Sequence, residues 1–197
     1  AAYGLLPVDS GEVSLPTHNV SIGNPYQALQ NRVAYVPKDR DGEALMMGAS
    51  IQNNFCLPSV ETLKGRFGFL SPKKLYQASS KAREQFSVKS TGVDQLMRAL
   101  SGGNKQKVNL GRWLIKDLDV LIVDCPTRGV DIGVKAYIYQ CLREAKEKGM
   151  AILLITDELS EVLGMADTIA VMKDGEICKL LPRSAELSEE TIIEVMT

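Results

Sequence analysis

The chain has 197 residues, 23 of them basic and 24 acidic, with 45% apolar and 24% charged residues. That composition belongs to a folded protein of about one domain, able to bury roughly 70% of its unfolded surface; the near-zero net charge argues against non-specific nucleic-acid binding, which needs a strongly basic face. The longest apolar runs, 120–123 and 150–155, are too short for the about 20 residues of a membrane span, and the first residues lack the basic flank and apolar stretch of a signal peptide.

In chain order, residues 11–15 and 19–22 read as two short strands joined by a turn at Pro16. Asn24-Pro25 opens a short helix to residue 30, with proline suited to its first turn. Val33-Ala34-Tyr35-Val36 reads as a buried strand ended by Pro37, and 38–43 as a polar loop. Residues 50–100 have a helical texture broken by Pro58, by 65–68 and by Gly92, with Ser71-Pro72 capping a helix to about residue 86. Beyond residue 100 the pattern becomes alternating helix and buried strand: helix 104–115, strand 120–123, helix 134–148, strand 151–155, short helix 160–163 and strand 169–172. Asp174-Gly175 then turns into a hairpin strand at 176–178. This alternation predicts an α/β fold with a parallel sheet covered on both faces and a mainly helical insertion at about 45–98.

Two stretches carry chemistry. In Leu100-Ser101-Gly102-Gly103-Asn104-Lys105-Gln106 a serine and two glycines open a helix, so free backbone N–H groups and a hydroxyl meet at its positive end. That is an anion site, although alone it reads equally as a plain serine cap. In Val120-Leu121-Ile122-Val123-Asp124-Cys125-Pro126-Thr127 a buried strand delivers a carboxylate to the C-terminal edge of the sheet, where it suits a water-mediated contact to Mg²⁺. Alone, it reads more readily as an Asp that simply caps the following turn. The only histidine, His18, sits in a polar stretch and reads as a surface residue, so catalysis by a histidine pair is excluded. The cysteines Cys56, Cys125, Cys141 and Cys178 are spread without a C-x-x-C pair, which fits a reducing compartment rather than a disulfide or zinc scaffold. Trp113 with Leu110 and Leu114 reads as core, and so do the methionines Met46, Met47 and Met97, with an adaptable groove for a partner helix as their second reading; Lys73-Lys74 and 81–84 read as a solvated helix face.

The order of these motifs, with 23 residues from Ser101 to Asp124, resembles the ATP-binding cassette family, the motor domains of ABC transporters. Leu100 to Asn104 looks like its signature motif, Leu121 to Asp124 like its Walker B strand, and Gly129-Val130-Asp131 like its D-loop. Ala34 to Arg40 falls at the Q-loop and Thr156-Asp157-Glu158 at the switch-histidine loop. The wording AYVPKDR, LSGGNKQKV and PTRGVD is most similar to the second cassette of fused importers of ribose, galactose and xylose. The resemblance covers the whole chain and implies one P-loop-NTPase-like cassette over 1–197, with an α/β core at 1–44 and 99–197 and a helical subdomain at 45–98.

The departures are as specific as the matches. No G-x-x-x-x-G-K-[ST] is present, so the chain is expected to begin past its own phosphate cradle, without the first strand or the aromatic that stacks on adenine. Cys125 stands where the family carries its catalytic glutamate, Asp157 at the switch-histidine position and Lys38 at the Q-loop glutamine. A thiol cannot accept the proton of an attacking water in the same geometry, so the local site is expected to be hydrolytically dead.

The resemblance implies ATP and Mg²⁺ in the assembled transporter, with neither held tightly by this chain alone. Ser101, Gly102, Gly103 and Asn104 would meet the γ-phosphate of a partner cassette's ATP in a head-to-tail pair. Asp131 and Arg128 would lie near that interface, with Arg128 equally readable as a solvated loop residue, and Asp124 would contact Mg²⁺ through water. The implied partners are a second cassette, membrane permease subunits docked on 45–98 and, indirectly, a sugar-binding protein, at the cytoplasmic face of the membrane and without nucleic acid. A non-catalytic dimerisation and docking module is an alternative. An ABC-type head of a DNA-repair ATPase is another, but it would keep the glutamate and follow a long coiled coil.

Overall fold

β1 (Ser14–Leu15) and β2 (Val20–Ser21) pair antiparallel, with Leu15 opposite Val20. The computed structural model describes residues 2–15, 20–184 and 187–196, so the expected turn at Pro16 and the surface reading of His18 lie outside the described residues. α1 (Pro25–Gln30) begins as its sequence requires, with the Asn24 side chain accepting the Gln27 N–H at 2.9 Å and Pro25 in the first turn. Arg32, in the left-handed region at φ 61°, turns the chain into β3 (Val33–Val36). The small core beside it joins Ile22, Ala28, Val33 and Ile122, with Tyr3 and Tyr35 packed against them.

After β3 the chain makes a π-helical turn over Arg40–Ala44, started by the Asp39 carboxylate accepting the Gly42 N–H at 2.9 Å. The next elements are α2 (Ile51–Cys56), α3 (Val60–Leu63) and α4 (Pro72–Gln85), linked by single 3₁₀ turns. The helical expectation for 50–100 holds to residue 85 and fails beyond it. Residues 86–96 run back along α2, with the N–H groups of Ile51 and Gln52 donating to the carbonyls of Gln95 and Val93 at 3.0 and 2.9 Å. Gly92 and the left-handed Ser87 make helix costly there. Buried Asn54 fixes the entry to α2 by bonding Met46 through both its backbone N–H and its carbonyl.

α5 (Gly102–Leu114), β4 (Val120–Asp124) and α6 (Ile132–Glu147) follow. α5 starts two residues before the expected Asn104, because the Ser101 cap outweighs the poor helix propensity of the glycines. It buries Val108, Leu110 and Trp113, and its Gly111 lies against the rings of Phe55 and Phe86. Each such side chain contributes about 1.5–3 kcal/mol. Leu110 and Trp113 are core as expected, and so is Met97, whereas Met46 is exposed and Met47 half-buried.

The sheet is ordered β3-β4-β5, with β5 spanning Ala151–Ile155. β3 and β4 are parallel and in register from Val33 opposite Val120 to Val36 opposite Val123. β4 is buried through Leu121, Ile122 and Val123, as predicted for a doubly covered strand. β5 departs from that expectation: Ala151, Leu153 and Ile155 alternate onto an exposed face, so its apolar run is period-2 and covered on one side only among the described residues.

The chain divides into two units within β5, at Leu153 and Leu154. The second unit carries α7 (Leu159–Met165), β6 (Thr168–Lys173), β7 (Glu176–Pro182) and α8 (Glu189–Met196). β6 and β7 form the expected hairpin, with Asp174 at φ 51° and Gly175 at φ 86° giving a two-residue turn of the primed kind. Ile169, Val171, Leu181 and Ile192 make this unit's own core.

Candidate functional site

Ser101 caps α5, and Gly102 and Gly103 occupy the first two helical positions. No acceptor among the described residues takes the N–H of Gly102 or Gly103, so both point free donors out of the positive end of a 13-residue helix. Asn104 sets the Ser101 hydroxyl by donating to it from Nδ2 at 2.9 Å, while its Oδ1 accepts the backbone N–H of Lys89 at 2.8 Å. The arrangement is a ready anion site with an oriented hydroxyl.

Three segments brace this turn. Arg40 donates from Nη1 to the Gly102 carbonyl at 3.1 Å and from Nε to Asp41 at 2.7 Å. Asp41 also takes Lys105 Nζ at 2.9 Å, closing a chain from the π-helical turn to α5. Burial pushes the Asp41 carboxyl up, but hydrogen bonds from Arg40 and Lys105 and their charges outweigh it, leaving a pKa below the ordinary value. Gly103 meets the first turn of α6 so closely that a Cβ there would lie 2.7 Å from Cγ2 of Val134. Buried Gln106 donates to the Pro126 carbonyl at 2.6 Å, fixing α5 to the turn after β4.

Asp124 ends β4 half-buried, and the Tyr35 hydroxyl donates to its Oδ2 across a long 3.5 Å. Burial raises the Tyr35 pKa, and the nearby Asp124 and Glu43 charges raise it further. Tyr3 lies against Tyr35 with ring centroids 5.7 Å apart. The hard carboxylate oxygens of Asp124, half open to solvent, fit a water-mediated Mg²⁺ contact. Cys125 follows, buried and left-handed at φ 45°, its carbonyl accepting the Arg128 N–H at 3.1 Å. Asp131 caps α6 by accepting the Val134 N–H at 2.9 Å. Arg128 and Lys38 are exposed. Asp157 belongs to the second unit and is exposed on a loop where the Glu158 N–H donates to the Thr156 hydroxyl at 3.1 Å.

Residues 1–128 match the sequence profile of the ABC transporter family. The chain belongs to that family. Among curated ABC relatives, the ribose import ATP-binding protein RbsA of Lactococcus lactis subsp. lactis is 37% identical over 197 residues, covering 100% of this chain and 40% of its own length. A putative ribose/galactose/methyl galactoside import ATP-binding protein of Burkholderia lata is also 37% identical, covering 100% of this chain and 38% of its own length. The chain thus spans about two fifths of these relatives. A nucleotide-free ATP-binding cassette from an ABC transporter superimposes with a TM-score of 0.78 at 22% identity, over 98% of this chain and 79% of that one. A dimeric cassette in a post-hydrolysis state, bound to ADP and Pi, gives 0.76 at 19% identity, over 92% and 77%. The α/β cassette fold expected from the sequence is therefore the fold of this ABC chain.

Of the residues expected at the cassette's site, Ser101 to Asn104 and Asp131 are brought together around the α5 and α6 N-termini. Arg40, Asp41, Lys105 and Gln106 take bracing roles there that the sequence motifs do not signal. Their partners lie 20 to 64 residues away in the chain, and no local spacing encodes such pairs.

Proposed function

We propose that this chain is part of the second cassette of an ATP-driven sugar importer and presents its signature turn to ATP held by a partner cassette. The carrying observation is the free Gly102 and Gly103 N–H pair with the oriented Ser101 hydroxyl, beside a Cys125 where the family has its glutamate. Ser101 and the two N–H groups would bind the γ-phosphate oxygens and stabilise charge as the phosphoryl group transfers. Asn104 orients Ser101, and Arg40, Gln106 and Val134 keep the donors pre-positioned. When bound, Mg²⁺ supplies charge neutralisation, and Asp124 would hold it through water. Cys125 leaves the local position without a general base, and Lys38 and Asp157 change its other polar contacts, so this side turns over no nucleotide. The chain alone holds Mg-ATP weakly, because it carries no G-x-x-x-x-G-K-[ST] stretch.

The remaining partners follow from the same reading: residues 45–98 form a helical subdomain docked on membrane permease subunits at the cytoplasmic face, served by a sugar-binding protein. A cysteine placed at half-buried Met47 cross-links to the permease if that holds. Ser101→Arg in the full-length transporter abolishes hydrolysis, since a bulky cation covers the helix end; losing such donors costs about 10²-fold or more. Cys125→Ala leaves turnover near the parent value. Equal damage from both substitutions would refute the dead local site. A non-catalytic dimerisation and docking module is the second reading, favoured by Cys125 alone. Unchanged transporter hydrolysis in Ser101→Arg would select it.

A further inference from the structure

Between α3 and α4 the chain makes a tight loop, closed by a bridge between Lys64 and Leu70 and by the Gly65 N–H donating to the Phe69 carbonyl at 2.8 Å. At its tip Phe67 is left-handed, φ 69°, a conformation an aromatic residue rarely adopts. Phe67 is 84% exposed and Phe69 77% exposed, with Leu70 beside them. The Arg66 guanidinium lies 5.4 Å from the centroid of the Phe67 ring. Two phenylalanines held in water on a backbone that strains to present them are poorly explained by packing within the chain.

The unpaired charges in the sequence around the tip are basic. From 57 to 77 the sequence carries Glu61 as its only carboxylate, and Glu61 is already ion-paired to Lys64. Arg66, Lys73 and Lys74 are exposed, and no carboxylate among the described residues pairs with them. Aromatic rings at a convex tip with cations on its flanks suit the headgroup level of a bilayer, where rings enter the interface and Lys and Arg meet lipid phosphates and carboxylates.

We infer that the loop at 64–70, with Lys73 and Lys74, is a membrane-surface anchor that inserts Phe67 and Phe69 into the interface of an anionic bilayer. The cationic rim selects this occupant over an apolar protein groove, which would leave three cations without counter-charge. The inference stands on the loop alone and survives or falls separately from the nucleotide reading.

Sedimentation of the full chain with vesicles tests it, using phosphatidylcholine alone and with about 30% phosphatidylserine. The chain sediments with the anionic vesicles and not the neutral ones, and binding fades at about 0.5 M salt. Lys73→Gln and Lys74→Gln each weaken it about five-fold. Phe67→Asn with Phe69→Ser abolishes it while leaving the circular dichroism unchanged, since asparagine tolerates the left-handed position. No sedimentation with anionic vesicles, equal binding to neutral ones, or binding undiminished by the paired Phe substitutions would overturn the inference. So would a photo-crosslinker at position 69 that, in native membranes, labels protein and no lipid.

Discussion

Gly103→Ala separates the two glycines of the turn that opens α5. A Cβ at Gly102 would approach the Gly129 carbonyl oxygen at 3.5 Å, an ordinary contact. A Cβ at Gly103 would approach Val134 Cγ2 at 2.7 Å, so the pair must separate by about 0.8 Å to reach normal carbon–carbon distance. Val134 is β-branched and stands on the first turn of α6, so it cannot swing aside cheaply. Overpacking of this kind costs about 1–3 kcal/mol, offset by up to about 1 kcal/mol from the better helix propensity of alanine. Thermal unfolding of the chain should therefore fall by about 2–4 °C per kcal/mol for Gly103→Ala and stay near the parent for Gly102→Ala. If the turn meets a partner's nucleotide as proposed, a displacement approaching 1 Å predicts a loss of up to about 10²-fold in the transporter's hydrolysis. Gly103→Ala combined with Val134→Ala removes the obstructing methyl and restores part of both readouts. A Gly103→Ala variant as stable and active as Gly102→Ala would refute the packing argument.

Gly111→Ala on α5 should also destabilise, by about 1–2 kcal/mol in urea unfolding, because its Cβ would lie 2.7 Å from the Phe86 ring; a stabilised variant would count against that contact. The Asp41 pKa is depressed in the folded chain, so its contribution is present at neutral pH and is lost as pH falls through that depressed value. Asp41→Asn should then destabilise at pH 7, and the difference from the parent should vanish at acid pH in matched denaturation curves. Cys178 is exposed while Cys56 and Cys141 are buried with thiol pKa values raised by burial, so a thiol reagent at pH 8 should label Cys178 first. Faster labelling of Cys141, read by mass spectrometry, would contradict its burial.

Local chemistry was the part of the fold most legible in the sequence. α1, β3 and β5 fall where cap residues, Pro25, Pro37 and apolar runs place them, because each signal acts within a few residues. α5 starts earlier than expected because glycine propensity and serine capping oppose one another and the cap prevails. The stretch 86–96 departs from the expected helix because its conformation depends on backbone bonds to Ile51 and Gln52, 44 and 41 residues from their acceptors. At the candidate site, the order of the motifs singles out Ser101 to Asn104, Asp124 and Asp131. What holds them in place was invisible: Arg40 finds Gly102 across 62 residues, and Gln106 finds Pro126 across 20.

The triple bracing of the turn that opens α5 limits how it can be exchanged or evolve. Its geometry is shared property of four chain segments: the π-helical turn with Arg40, α5 itself, the turn at Pro126 and the α6 start at Val134. A graft of residues 100–106 into another cassette would carry the donors but not their supports. Substitutions at Arg40, Gln106 and Val134 should accordingly be non-additive with those at Gly102 and Gly103. Transplantation should succeed only when all four segments travel together, so the unit of inheritance here is a spatial cluster rather than a linear motif.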